Sequence, residues 1–329
     1  MGQLPLFSAD PQTPEEIAAD TPLKATLGHF AAHLKHEGKT QHTITSFLSD
    51  LKLMGGYLGM ERPVGGLLTG DLEDFLYWLE FERTDNDGRP IPCSRKSYAR
   101  RVTSLKVFFK WLKALGAIKH DPAGAVRQRS GPAPLSQALS LPQIRACIEA
   151  ARTFKKGGTQ DYRPEMLFRL LVDTGLKKSE VMRLKPIHID RTNPHLPVLH
   201  VRQKVRNVFK ERRIDLDPDW VRLFDLYRAQ YPPKPNTEII VTCTARNLEY
   251  ILKDIGQAAG LDGEQIPPEN RIKLSFEVLR WTCAVKDHRM GMDEQSLREK
   301  LGLSEPSWYE TSNKIKQLAE QLAADSAAS

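Results

Sequence analysis

Between Arg127 and Leu139 the chain reads RQRSGPAPLSQAL, with a glycine, two prolines and little apolar periodicity, while long periodic stretches lie on both sides. Such a break cannot continue a helix or strand across it, so each side must bury its own apolar residues. With 329 residues and 40% hydrophobic content there is material for two cores. We therefore expect a flexible arm over residues 1–22, a helical domain over 23–126, a linker over 127–139 and a second domain over 140–325.

The periodicity also gives the class of each part. Residues 1–22 are rich in Pro, Ala and acids and carry one apolar knot, the composition of an arm. Leu27, Phe30, Ala31 and Leu34 recur at helical spacing, as do Ile44, Phe47, Leu48 and Leu51, then Leu72, Phe75, Leu76 and Leu79. Val102, Leu105, Phe109 and Leu112 mark the apolar stripe of a further helix whose other faces hold Lys96, Arg100, Arg101 and Lys110. In the second part, Ser140 precedes Leu141-Pro142 and is placed to cap a helix. Leu167, Leu170, Leu171, Val181, Met182 and Leu184 stay in helical register. From Pro197 to Leu216 the pattern becomes alternating β-branched and charged residues, which suits a short hairpin or small sheet. Helices return over Trp220–Ala229, Leu248–Ala259, Phe276–Asp287 and Ser307–Ala324. The expected fold is mainly α with a small β-sheet, in two domains.

Charge is segregated more than it is excessive. The net charge is +7, but Cys93–Ser130 holds ten Lys or Arg and one acid, Asp121, whereas Glu61–Asp87 holds eight acids against Arg62 and Arg83. One basic face fits a nucleic-acid partner. Cys93, Cys147, Cys243 and Cys283 are far apart and lack metal-knuckle or redox-pair spacing, so we expect reduced thiols, no metal and no cofactor. No run reaches the length of a membrane span and the N-terminus lacks the regions of a signal peptide, which points to the cytoplasm and the nucleoid.

Particular segments resemble a known family in both motif and order. TGLKKSEVMRLKP is similar to the active-site box of tyrosine recombinases, the phage-integrase and Xer family, and LSFEVLRWT to a second box of the same site. HTITSFLSDLKLMGGYLG and SRKSYARRVTSLKVFFKWLKALGAIKHDPAGAV resemble the opening and closing segments of that family's core-binding domain. LSLPQIRACIEAA resembles the start of its catalytic domain. The resemblance implies a helical core-binding domain followed by a mixed α/β catalytic-like domain, the two forming a clamp on double-stranded DNA.

It also implies a chemistry that this chain matches poorly. The family uses two arginines, a hairpin lysine and His or Trp positions around one phosphate, with a tyrosine that attacks phosphorus. Carried over residue by residue, the first arginine falls on Lys177, which keeps charge but not the planar fork. The lysine falls on Lys204, with Lys210 competing because the turn reads as longer than usual. The His-x-x-Arg motif becomes Glu277-Val278-Leu279-Arg280, so the second arginine survives and a carboxylate replaces the imidazole. Leu303 stands where a second His is expected, Ser312 holds the usual nucleophile spacing, and Tyr309 comes three residues earlier. We expect Trp308 and Tyr309 to pack the last helix, and the site to have lost catalysis. The alternatives are an active recombinase using Tyr309 and an integrase-derived repressor or architectural protein.

Binding is expected to outlast cutting because it rests on many phosphate contacts. Arg95, Lys96, Arg100, Arg101, Lys177, Arg202, Lys204, Arg206, Lys210 and Arg280 are the expected contacts, with Arg212 and Arg213 on the same hairpin. The implied role is that of a target-site selector in a multi-protein bacterial transposon, assembling on DNA as an oligomer and recruiting transposition proteins. Finally, Gln3-Leu4-Pro5-Leu6-Phe7 resembles the pentapeptide by which bacterial proteins engage the sliding clamp, with Gln3, Leu4, Leu6 and Phe7 as the contacts.

Overall fold

The computed structural model describes residues 17–128, 136–205, 208–233 and 238–328. Gln3, Leu4, Leu6, Phe7 and Arg206 lie outside them. The chain divides into two compact units, Met1–Ala133 and Pro134–Ser329.

The first unit is built from α1 (Leu23–His36), α2 (Gln41–Leu58), α3 (Thr69–Tyr77), a wider π-helical turn over Trp78–Glu82, and α4 (Arg95–Ala114). Polar caps fix where two of these begin: Thr40 Oγ1 accepts from Thr43 N and Ser94 Oγ from Ser97 N, each at 3.2 Å. The apolar stripes meet in one core. Leu23, Phe30, Leu51, Met54, Leu72, Phe75, Val102, Phe108, Phe109 and Leu112 are fully buried. Phe30 packs edge-on against Phe108 at 5.2 Å and against Trp111 at 5.1 Å. Each such side chain contributes about 1.5–3 kcal/mol by leaving water, so this unit carries its own stability.

The second unit opens with α5 (Leu141–Thr153), where Ser140 Oγ accepts from Gln143 N, the cap expected from the sequence, and Gln143 Oε1 accepts in return from Ser140 N. A two-residue ribbon, β1 (Lys155–Lys156) with β2 (Thr159–Gln160), leads to α6 (Tyr162–Thr174) and the short α7 (Lys178–Val181). Then β3 (Ile189–Asp190), β4 (Val198–Val205) and β5 (Val208–Asp215) form an antiparallel sheet in that order, with Val198 opposite Asp215 and Val205 opposite Val208. Two residues separate β4 from β5, fewer than the longer turn expected from the sequence. α8 (Pro218–Gln230) and α9 (Ala245–Ala258) complete the main core with Trp220, Phe224, Tyr227 and Leu252.

A smaller core lies among α10 (Phe276–Arg289), α11 (Glu294–Leu301) and α12 (Glu305–Ala328). It joins Ala284, Val285, Leu297, Leu301, Ile315 and Leu318. Two glycines let these elements meet. Gly175 ends α6 at φ 61°, where a Cβ would lie 3.1 Å from Leu301 Cδ2 and 3.3 Å from Cys283 Sγ. Gly302 ends α11 at φ 60°, and a Cβ there would meet Arg212 Nη1 at 2.8 Å. Among the described residues no helix is long and apolar enough to cross a membrane, and no cluster of His, Cys, Asp or Glu is able to hold a metal. The four cysteines are free.

Candidate nucleic-acid interface

On the first unit, the basic residues of α4 divide into two groups. Arg95 and Lys96 in its first turn are exposed and have no ion-pair partner among the described residues. Arg100 and Arg101 instead converge on Asp50, whose side chain is 3% exposed. Arg100 Nη1 donates to Asp50 Oδ2 at 2.5 Å and to Ser46 Oγ at 2.6 Å, and Ser104 Oγ donates to the same carboxylate oxygen at 2.8 Å. Arg101 is 13% exposed, donates to Cys93 Sγ at 2.9 Å and has Nε 3.7 Å from Asp50 Oδ1. The buried carboxylate needs these partners, so Arg101 faces inward although the sequence groups it with the surface cations.

On the second unit, Arg202 is 60% exposed and donates through Nε to Glu211 at 2.6 Å, while His200 Nδ1 lies 2.8 Å from the other oxygen of Glu211. Lys204 stands opposite Phe209 and Lys210 opposite Gln203 in the strand register. Arg212 departs from expectation. It is 11% exposed and clasps Glu180 through Nη1 and Nη2 at 2.8 Å each, while Nε donates to Lys300 O at 2.8 Å. This bidentate pair ties β5 to α7 and α11, which removes Arg212 from the outward-facing set. Arg213 remains exposed.

The boxes singled out in the sequence do come together. Lys177, Lys178, Phe276, Glu277, Arg280, Trp281, Ala284, Leu301, Leu303 and Thr311 line one cavity of about 390 Å³. Lys177 caps α7, where its own N–H donates to Glu180 Oε2 at 2.9 Å. Burial, then the Arg280 charge, depresses the Lys177 ammonium pKa below its usual value, with Glu180 opposing and Arg212 adding to the effect. Burial by itself would raise Glu180, but the Arg212 hydrogen bonds and charge outweigh it and hold the carboxyl below the usual 4.5. Arg280 donates from Nη1 to Gly175 O at 2.5 Å and from Nη2 to Leu301 O at 2.6 Å, so both arms of its fork hold backbone carbonyls.

The remaining positions are equally informative. Glu277 is exposed in the first turn of α10, whose cap is Ser275. Leu303 packs on the smaller core. Ser312 is 8% exposed and donates to Tyr309 O at 3.2 Å. Trp308 packs on the smaller core and donates to Glu294 at 3.2 Å, as expected of a structural residue. Tyr309 does not pack: it is 77% exposed and is not among the described residues lining the cavity. Successive helical residues turn by about 100°, so Tyr309 points away from Thr311, which does line it. Sequence reasoning missed Thr311 and Trp281; the adjacency of Trp281 to Arg280 was the available signal.

Residues 27–116 match the family model described as "Phage integrase, N-terminal SAM-like domain". The chain is 29% identical over 211 residues to the tyrosine recombinase XerC of Myxococcus xanthus, covering 64% of this chain and 65% of that protein, just under two thirds of its length. It is 23% identical over 276 residues to the tyrosine recombinase XerD of Listeria monocytogenes, covering 80% and 85% respectively. Among solved structures, XerH site-specific recombinase bound to palindromic difH substrate superposes with a TM-score of 0.66 at 16% identity, over 93% of this chain and 84% of that one. A lambda integrase dimer bound to a COC' core site gives 0.64 at 17% identity, over 95% and 83%. The fold is that of a two-domain, mostly helical recombinase. In sequence and in fold the chain is similar to tyrosine recombinases.

Proposed function

We propose that this protein binds a particular double-stranded DNA site without cutting it and recruits other proteins there, the role of a target-site selector in a multi-protein transposon. The observation that carries the reading is the state of the cavity. Lys177 stands where the family has a bidentate donor, Arg280 has both terminal nitrogens on backbone carbonyls, Glu277 puts a carboxylate on the cavity wall, and Leu303 supplies no imidazole. Losing one transition-state donor costs about 3 kcal/mol, so several losses together leave little acceleration. Tyr309, exposed and away from the cavity, supports the same reading.

DNA binding draws on Arg95, Lys96, Arg100, Arg202, Lys204, Arg206, Lys210 and Arg213, with Lys177 a weaker contributor. Solved structures of similar fold are of recombinases bound to DNA, one as a dimer, which supports a duplex partner and assembly on it. The Gln3–Phe7 segment adds a proposed contact with the sliding clamp. The test is a nicked suicide substrate carrying the bound site, analysed by denaturing gel. We expect tight, sequence-preferring binding and no covalent adduct. An adduct lost in Tyr309→Phe would establish the active-recombinase alternative instead.

A further inference from the structure

The cavity has the composition of a ligand site of another kind. Three cations line it, and two are committed. Lys178 Nζ pairs with Glu249 at 2.6 Å, and Arg280 holds Gly175 O and Leu301 O. Lys177 Nζ, partly buried, has no hydrogen-bond or ion-pair partner among the described residues. The Thr311 hydroxyl donates to Ser307 O at 2.8 Å, so it offers no proton to the cavity. Phe276, Trp281, Ala284, Leu301 and Leu303 make up the rest of the wall. One uncommitted cation in a concave, largely apolar surface is the pattern of a small-molecule site.

We propose that this cavity binds a small organic anion, a carboxylate on an aromatic or branched apolar body, with the carboxylate at Lys177 and the body against Trp281, Phe276 and Leu303. The proposal rests on the non-cutting reading of the same site. A bare phosphate fits poorly: it needs donors on several sides, finds one free ammonium, and meets Glu277. A monoanion with an apolar body satisfies the ammonium while its body replaces water along the walls. Its carboxylate would also offset the Arg280 charge that repels the Lys177 ammonium. Because Lys177 is among the groups proposed to face DNA, occupancy would compete with that contact, making DNA affinity responsive to the ligand.

Titration calorimetry on the full chain tests this with three probes at constant ionic strength: indole-3-acetate, neutral indole and inorganic phosphate. We expect saturable one-to-one binding of indole-3-acetate, weakened about tenfold or more in Lys177→Met and lost in Leu303→Glu. Circular dichroism would confirm that both variants are folded. Equal binding of indole, binding of phosphate in place of indole-3-acetate, or indifference to both substitutions would each overturn the proposal. A suicide-substrate adduct sinks the non-cutting reading whatever the calorimetry gives; failed titration without an adduct sinks this site alone.

Discussion

Arg280 bridges Gly175 O and Leu301 O, joining the end of α6 to the end of α11. Two charge-assisted hydrogen bonds to otherwise unpaired helix-end carbonyls make it structural, whatever it does for DNA. Arg280→Ala should therefore lower stability by about 2–4 kcal/mol in urea unfolding, with DNA affinity changed less than stability. Glu277 is the opposite case, exposed and without a hydrogen-bond or ion-pair partner among the described residues, so Glu277→Gln should leave stability unchanged. If the cavity faces the DNA backbone as proposed, removing this carboxylate should raise affinity by about three- to tenfold at low salt, read by fluorescence anisotropy, and the gain should shrink as salt rises. A third consequence concerns pH. Because the folded Glu180 carboxyl titrates below 4.5, its clasp with Arg212 stabilises fully above that value and is lost as pH falls through the folded value. Glu180→Gln should cost about 3 kcal/mol near neutrality, and in urea midpoints the gap from wild type should narrow only below pH 4.5 and close as the pH passes the folded value.

At the scale of elements, α4 has a basic start and a structural middle. Arg95→Ala with Lys96→Ala should reduce the slope of log affinity against log salt by about 0.9 per phosphate contact removed, leaving the urea midpoint in place. Arg101→Ala should instead lower the midpoint, because it strips a partner from buried Asp50. That contrast shows what the sequence could and could not reveal. Helices were legible because apolar residues recur every three or four positions, and the hairpin because the period switches to two over 197–216. The family boxes were legible because they are local, and Lys177, Glu277, Arg280 and Leu303 do line one cavity. What was hidden is which cation finds a carboxylate far along the chain. Arg212 reads like its hairpin neighbours, yet Glu180 lies thirty-two residues away in sequence and only the fold brings them to 2.8 Å. Tyr309 was misjudged as a packing residue because adjacent helical positions face different ways, so Trp308 enters the smaller core while Tyr309 points to solvent.

For the molecule as a whole, two separately cored units on one chain mean that affinity for a duplex depends on their covalent link as well as on their surfaces. If both contact the same site, binding of the first makes binding of the second intramolecular, and the link supplies an effective concentration on the order of millimolar. A protease site inserted between Ala133 and Pro134, where the units divide, allows the link to be cut after folding. Each unit keeps its own core, so cutting should leave circular dichroism unchanged while weakening DNA binding by about 10²-fold or more. The salt slope should also fall towards that of whichever unit still binds, since fewer phosphates are then neutralised by one particle. Unchanged affinity after complete cleavage would mean that one unit alone carries the duplex. The basic start of α4 or the β4–β5 hairpin would then have to be reassigned to another partner, and the footprint of the cut protein would identify which.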